Sequence, residues 1–261
     1  MELIDTHCHL DVEEFAADRW EVLAACERLG IRALVLPGVV ADDWPQLLAT
    51  AAASPLLHAT LGLHPWYVRR HREEHLRALA AAVASEPLVA IGEIGLDYYP
   101  GAEEPEAQQR WFEAQLDLAR DARLPVMLHV RRAHDQVYSI LRRRSAPAGG
   151  VVHAFSGSLQ QAQRYVELGF RLGFGGAVTH ERANKLRGVL KALPREAIVL
   201  ETDAPDMAPA GHQGERNTPL NLPEILQTVA RLRSESTEDV AAYTTANARA
   251  LFQLPDAPVA A

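Results

Sequence analysis

Cysteine is scarce in this chain. Cys8 and Cys26 are the only two among 261 residues, too few for a disulfide framework and wrongly spaced for a CxxC motif. An excess of cations is missing too: 26 Lys and Arg stand against 34 Asp and Glu, a formal net charge of −8. That balance argues against broad, sequence-blind nucleic-acid binding through a basic face and leaves room for a local basic pocket. No apolar run reaches membrane-spanning length, and the N-terminus lacks the basic start and apolar stretch of a signal peptide. These absences predict a soluble, cytoplasmic protein with no membrane contact, no obligate protein partner and a monomeric state. Linkers, low-complexity tracts and internal repeats are also missing. The pair Gly92-x-x-Gly95 does not make the phosphate-binding turn that an open, doubly wound sheet would need.

What is present is an ordinary globular composition, 48% hydrophobic and 23% charged, enough to bury a sizeable core. Apolar, β-prone runs recur: the Glu2-Leu3-Ile4 stretch, Ile31–Pro37, Leu57–Leu63, Leu88–Gly92, Pro125–Val130, Val151–Ala154, Phe170–Phe174 and Ile198–Glu201. Helical spacing fills the intervals, as in Glu104 to Arg123 and Leu159 to Leu168, and the chain finishes with helices over Leu220–Arg233 and Thr237–Phe252. Eight strand–helix units at this length predict a single (β/α)8 TIM-type barrel over residues 1–254. A short Ala/Pro tail over 255–261 is expected to fray. The Arg142-Arg143-Arg144 run falls at a helix end, where cations suit the dipole.

In such a barrel the active site gathers at the carboxyl ends of the strands. The first strand leads into His7 and His9, which alternation puts on one face while Cys8 points the other way into the core. The fourth strand leads to Glu93, the fifth to His129, the sixth to His153 and the eighth to Asp203. Unpaired burial of those carboxylates would cost several kcal/mol, and divalent cations would satisfy all six groups together. Six ligands suit two ions better than one, because a mononuclear catalytic zinc takes about three protein ligands. One division gives His7, His9, Glu93 and Asp203 to the first ion and Glu93, His129 and His153 to the second, with Glu93 as the bridge. Imidazole and carboxylate together suit zinc, manganese, magnesium, iron or nickel. A water shared by the pair would lose its proton near neutral pH and become the nucleophile, with Asp203 taking and returning the proton.

The blocks DTHCHLD (5–11), LGLHPW (61–66), GEIGLDYY (92–99), LHVRRAHD (128–135), VVHAFSGS (151–158) and LETDAPDM (200–207) resemble, in order, the signatures of the TatD family of metal-dependent hydrolases. FSGSLQQA (155–162) together with LETDAPDM makes the chain look closest to the YjjV-like branch. The resemblance implies the same six ligands, an amidohydrolase-like barrel, and hydrolysis of phosphoester bonds, often in DNA, in the manner of a 3'-5' exonuclease. It places His64 facing substrate rather than metal. Family members often carry Arg then Asp after the fifth-strand histidine. Here Arg131-Arg132-Ala133-His134-Asp135 follows, so the expected phosphate contact rests among Arg131, Arg132 and His134. Asp97 and Tyr98 are expected to line the mouth, with Tyr98 touching substrate, and the long segment 206–217 to cover it. The partner expected is therefore DNA or a small phosphoester. Two other readings compete: an amidase, lactonase or deacylase with the same metals, and a non-catalytic barrel.

Overall fold

A computed structural model describes residues 1–101, 104–144 and 148–255; most of the expected tail, 256–261, lies outside the described residues. Eight parallel strands form one sheet in sequential order. They are β1 (Leu3–Asp5), β2 (Ile31–Pro37), β3 (Leu57–Leu61), β4 (Ala90–Asp97), β5 (Val126–Arg131), β6 (Gly150–Val152), β7 (Phe170–Phe174) and β8 (Ile198–Leu200). The helices are α1 (Arg19–Arg28), α2 (Trp44–Ala52), α3 (Glu73–Ser85), α4 (Pro105–Ala122), α5 (His134–Arg144), α6 (Leu159–Glu167), α7 (Asn184–Ala192), α8 (Leu222–Arg233) and α9 (Thr237–Phe252). The Arg142–Arg144 run does close α5.

The seam between β8 and β1 is held differently from the other seven. The Thr6 backbone N–H and hydroxyl both donate to the Leu200 carbonyl at 3.0 Å. Just above, the buried Asp5 carboxylate accepts the Thr202 N–H at 2.9 Å and the Thr202 hydroxyl at 2.5 Å. Backbone bonds from the Asp203 N–H to the His7 carbonyl and from the His9 N–H to the Ala204 carbonyl, at 2.8 and 2.7 Å, continue the seam, and the sheet closes into a (β/α)8 barrel.

Strand alternation sorts each strand into outward and inward residues. Leu34, Leu36, Ile91, Leu128, Val152, Leu172 and Leu200 belong to the large core between the sheet and its helices. Ile4, Ala33, Val35, Ala90, Met127, Val151 and Val199 form a separate cluster inside the barrel, closed from below by Ala248, Leu251, Phe252 and Leu254 at the end of α9. One turn higher the same inward positions turn polar: Met127 is followed by His129, Val151 by His153, Val199 by Glu201.

β4 departs from simple alternation. Its pairing with β5 slips between Ile91 and Ile94, and the extra residue rotates Glu93 inward while Ile91, Ile94 and Leu96 all stay outside. Glu93 therefore sits mid-strand at a bulge, not at the exit of a strand ending at Gly92. Close approach makes this workable: a Cβ at Gly62 would lie 2.7 Å from the Glu93 backbone.

α4 begins with Pro105 in its first turn, where the missing N–H costs nothing. Its buried face carries two glutamines that act as backbone surrogates. Gln115 accepts from the Leu63 N–H at 2.7 Å and donates to the Leu63 carbonyl at 3.2 Å. Gln108 does the same for Asp97, at 2.9 and 3.0 Å. The exits of β3 and β4 are thereby anchored to one rigid helix.

Candidate metal centre

The loop after β1 carries His7 and His9 beyond the end of the strand. Arg19 gathers it by donating to the carbonyls of Leu10, Asp11 and Val12 at 2.6–2.9 Å. Cys8 turns into the core. The His7 and His9 rings meet edge to face at 5.1 Å, and Asp203 Oδ1 lies 3.3 Å from His7 Nε2 and 3.8 Å from His9 Nε2. Asp203 is held by its N–H on the His7 carbonyl at 2.8 Å. The Asn217 amide secures its flanks by donating to the Thr202 and Asp206 carbonyls at 2.8 and 2.6 Å.

Glu93 lies at the centre, with its two oxygens facing different groups. Oε2 is 3.4 Å from His7 Nε2. Oε1 is 2.8 Å from His153 Nε2, 3.0 Å from His129 Nδ1 and 3.1 Å from His64 Nε2. His153 stacks on His7 at 3.8 Å, joining the two sides. All six residues expected as ligands converge here, two from within β4 and β5 and four from the segments just after β1, β6 and β8.

Polar atoms in this layer lack ordinary partners. Both ring nitrogens of buried His7, one of His153 and Glu201 Oε2 make no hydrogen bond, although His7 Nε2 faces two carboxylate oxygens. Buried polar groups are normally satisfied. Imidazole nitrogens and carboxylate oxygens crowded together without hydrogen-bond geometry are the donor set of a divalent-metal site, so these residues fit the cations that the sequence implies. Three triads have mutually close donor atoms: His7–His9–Glu93, His7–His153–Asp203 and His64–Glu93–His129.

Charge reinforces the arrangement. Burial opposes ionisation of Glu93, yet the imidazoles of His153, His64 and His7 hold it well below the usual carboxylate range. Burial likewise opposes the His153 cation, and Glu93 outweighs that, lifting His153 to about 10. Burial raises Asp203. The site concentrates charge where water is scarce.

Hydrogen bonds on the far ring nitrogens set the tautomers. Asp97 Oδ2 is 3.0 Å from His129 Nε2 and Glu93 Oε1 3.0 Å from Nδ1; burial opposes the cation, but these two bonds outweigh it and raise the ring's pKa, and an ion on Nδ1 would leave the hydrogen on Nε2 towards Asp97. His64 is the reverse. The Trp66 N–H donates to His64 Nδ1 at 3.1 Å, which leaves the hydrogen of the neutral ring on Nε2, donating towards Glu93. Burial keeps that ring neutral, with its pKa lowered to about 4. His64 therefore presents an N–H, not a lone pair, to the centre.

A cleft of about 340 Å³ opens above these groups; His9, His64, Glu93, His129, His153 and Asp203 face it, and Val12, Glu14, Val39, Trp66, Tyr67, Pro205 and Asp206 complete its walls. Other expected contacts fall elsewhere. Tyr98 is half-buried against the apolar shell and does not line the cleft. Asp97 is buried and bonds His129 rather than lining the mouth. His134 is buried beside Phe155 and Tyr165 and burial lowers it to about 4, so it is a core residue turned away from phosphate. Arg131 and Arg132 are exposed at the rim, their guanidinium carbons 3.6 and 4.8 Å from the Tyr99 ring centroid. Of the segment 206–217, His212 pairs with Glu215 and Glu224 and Arg216 with Asp18, leaving Asp206 as its contribution to the cleft.

Glu201 joins the centre from just after β8 without a signal in the sequence. It is fully buried beneath the centre, accepts the Ala154 N–H at 2.6 Å and lies 3.9 Å from His153 Nδ1. Burial pushes it up to about 8. Gly173 makes its room, since a Cβ there would lie 2.1 Å from Oε2. The pairing of a glycine on one strand with a glutamate on the next carries no local signal.

The family model described as "TatD related DNase" matches residues 4–253. The chain is 41% identical to the uncharacterized metal-dependent hydrolase YjjV of Escherichia coli, covering 97% of this chain and 98% of that one. It is 35% identical to the 3'-5' ssDNA/RNA exonuclease TatD of Salmonella typhimurium, covering 97% and 99%. The crystal structure of Escherichia coli YjjV superposes with a TM-score of 0.94 at 40% identity, over 97% and 98% of the two chains. An organophosphorus hydrolase of Deinococcus radiodurans, at 15% identity and a TM-score of 0.70, shares the barrel. The chain belongs to the TatD family of metal-dependent hydrolases.

Proposed function

We propose that the centre holds two divalent ions bridged by Glu93 and hydrolyses phosphodiester bonds, removing nucleotides from the 3' end of single-stranded DNA or RNA. The observation that carries this reading is the division of Glu93: Oε2 turns to the His7 side and Oε1 to His129 and His153. A carboxylate shared in that way suits ions about 3.5–4 Å apart. The first set would be His7, His9, Glu93 and Asp203, and the second Glu93, His129 and His153. Such ions supply Lewis-acid pull on a phosphoryl oxygen and acidify water near them.

The chain's own residues do the rest. The His64 N–H meets a non-bridging phosphate oxygen when substrate displaces its contact with Glu93. Asp203, largely buried at the rim, accepts the proton of the attacking water and returns it to the leaving 3'-oxygen. Asp97 keeps the His129 ring turned with Nδ1 inward. Arg131 and Arg132 supply the local positive charge that an acidic protein otherwise lacks.

The test is a panel of oligonucleotides, phosphomonoesters, esters, lactones and amides with added manganese, magnesium or zinc. Stepwise 3'-end shortening of single strands is expected. Asp203→Asn should cut that rate by about a thousandfold while metal content falls only partly. Turnover on the ester and amide arm alone would reject the reading, and an undiminished Asp203→Asn would remove Asp203 from the chemistry.

A further inference from the structure

Exposed aromatic rings are rare here, and their placement is uneven. Among the described residues four Trp or Tyr side chains are exposed: Trp20, Trp66, Tyr67 and Tyr99. Three of them lie on one arc of the carboxyl rim. Trp66 and Tyr67 follow β3 and Tyr99 follows β4, next to the arginines that end β5. Trp66 is 46% exposed and Tyr67 38%, and both form a wall of the cleft over the metal ligands.

Their backbone is firmly set. The Trp66 N–H donates to His64 Nδ1, the Tyr67 N–H to the His64 carbonyl at 3.1 Å, and His71 Nε2 to the same carbonyl at 2.8 Å. Large apolar rings held open to water on such a pedestal contribute little to the fold. Cations accompany the arc: Arg70 lies 5.9 Å from the Tyr67 ring centroid, and Arg131 and Arg132 lie over Tyr99. Across the cleft, on the β1–β2 side, a cavity of about 460 Å³ is lined by Asp11, Glu13 and Asp43. Three carboxylates to one guanidinium, that of Arg19, leave that side the more acidic of the two.

We propose that Trp66 and Tyr67 are a stacking platform for the bases of a single strand, and that Tyr99 with Arg131 and Arg132 carries the strand onward over the β3–β5 rim. Alternation of π-faces with guanidinium groups is how proteins hold single strands without reading sequence. Duplex ends, whose bases are already stacked on each other, cannot use it. The inference rests on the nuclease reading for its substrate class and adds the residues that recognise it.

A binding measurement separates the two. Anisotropy of a labelled single strand of about ten nucleotides, with metal chelated and salt low, reads the platform without turnover. Trp66→Ala and Tyr67→Ala should each weaken binding about tenfold, and Trp66→Phe should recover most of it. A strand of the same length made abasic throughout should bind the native protein more weakly and show no further loss in Trp66→Ala. Replacing both arginines with alanine should weaken normal and abasic strands alike and flatten the salt dependence. Equal sensitivity of the abasic strand to Trp66→Ala, unchanged affinity in both alanine variants, or no binding by the native protein would overturn the proposal. Binding as described without phosphodiester cleavage would leave the platform standing and reject the nuclease reading.

Discussion

Inside the barrel, two layers lie one turn apart on the same strands. In the lower one Ile4, Val35, Met127, Val151 and Val199 meet Phe252; His58 and Arg171, paired with Val35 and Val151, are half-buried on the same level. In the upper one His129, His153 and Glu201 take the inward positions two residues later, joined by Glu93, His7 and Asp203. Burial of the lower set is favourable at about 25 cal/mol per Å² of apolar surface. The upper set is desolvated and partly unpaired, which costs free energy until cations arrive. Stability and chemistry are thus stacked along one axis, and a step of two residues moves a side chain from one task to the other.

Substitutions in the two layers should separate cleanly. Glu93→Gln removes the shared carboxylate and is expected to lower hydrolysis by about a thousandfold or more, with the folded state retained by circular dichroism; loss of folding instead would mean that the upper layer also carries the fold. Phe252→Ala opens a cavity under the lower layer and should cost about 3–5 kcal/mol in a urea titration, while metal stoichiometry and turnover persist below the melting temperature. A Phe252→Ala enzyme that is stable but inactive would break the separation. Asp97→Asn tests the support of the upper layer. It leaves a neutral group on His129 Nε2 and should weaken metal affinity or turnover by about 10–100-fold, with thermal stability little changed; native kinetics would show that His129 is oriented by something else.

Much of this architecture was legible in the sequence where periodicity carried it. β2, β7 and α9 fall where the apolar spacing puts them, and the six expected ligands come together because the carboxyl ends of barrel strands share one rim, which Glu93 reaches from a bulge inside β4. β4 was cut short because a bulge at Glu93 interrupts alternation. Glu201, Gln108, Gln115 and Arg19 carry no signal because their partners lie on other elements and a buried polar residue has no period, and Asp97, expected at the mouth, bonds His129 instead. Tyr98 and His134 were placed towards substrate from their neighbours in sequence, whereas each turns into apolar packing beside it.

Sharing of Glu93 between two ions is tested most directly by anomalous diffraction from crystals grown with manganese. Two peaks about 3.5–4 Å apart, one against each Glu93 oxygen, are predicted, the first among His7, His9 and Asp203 and the second between His129 and His153. A single peak, or two peaks of which Glu93 touches only one, would contradict it.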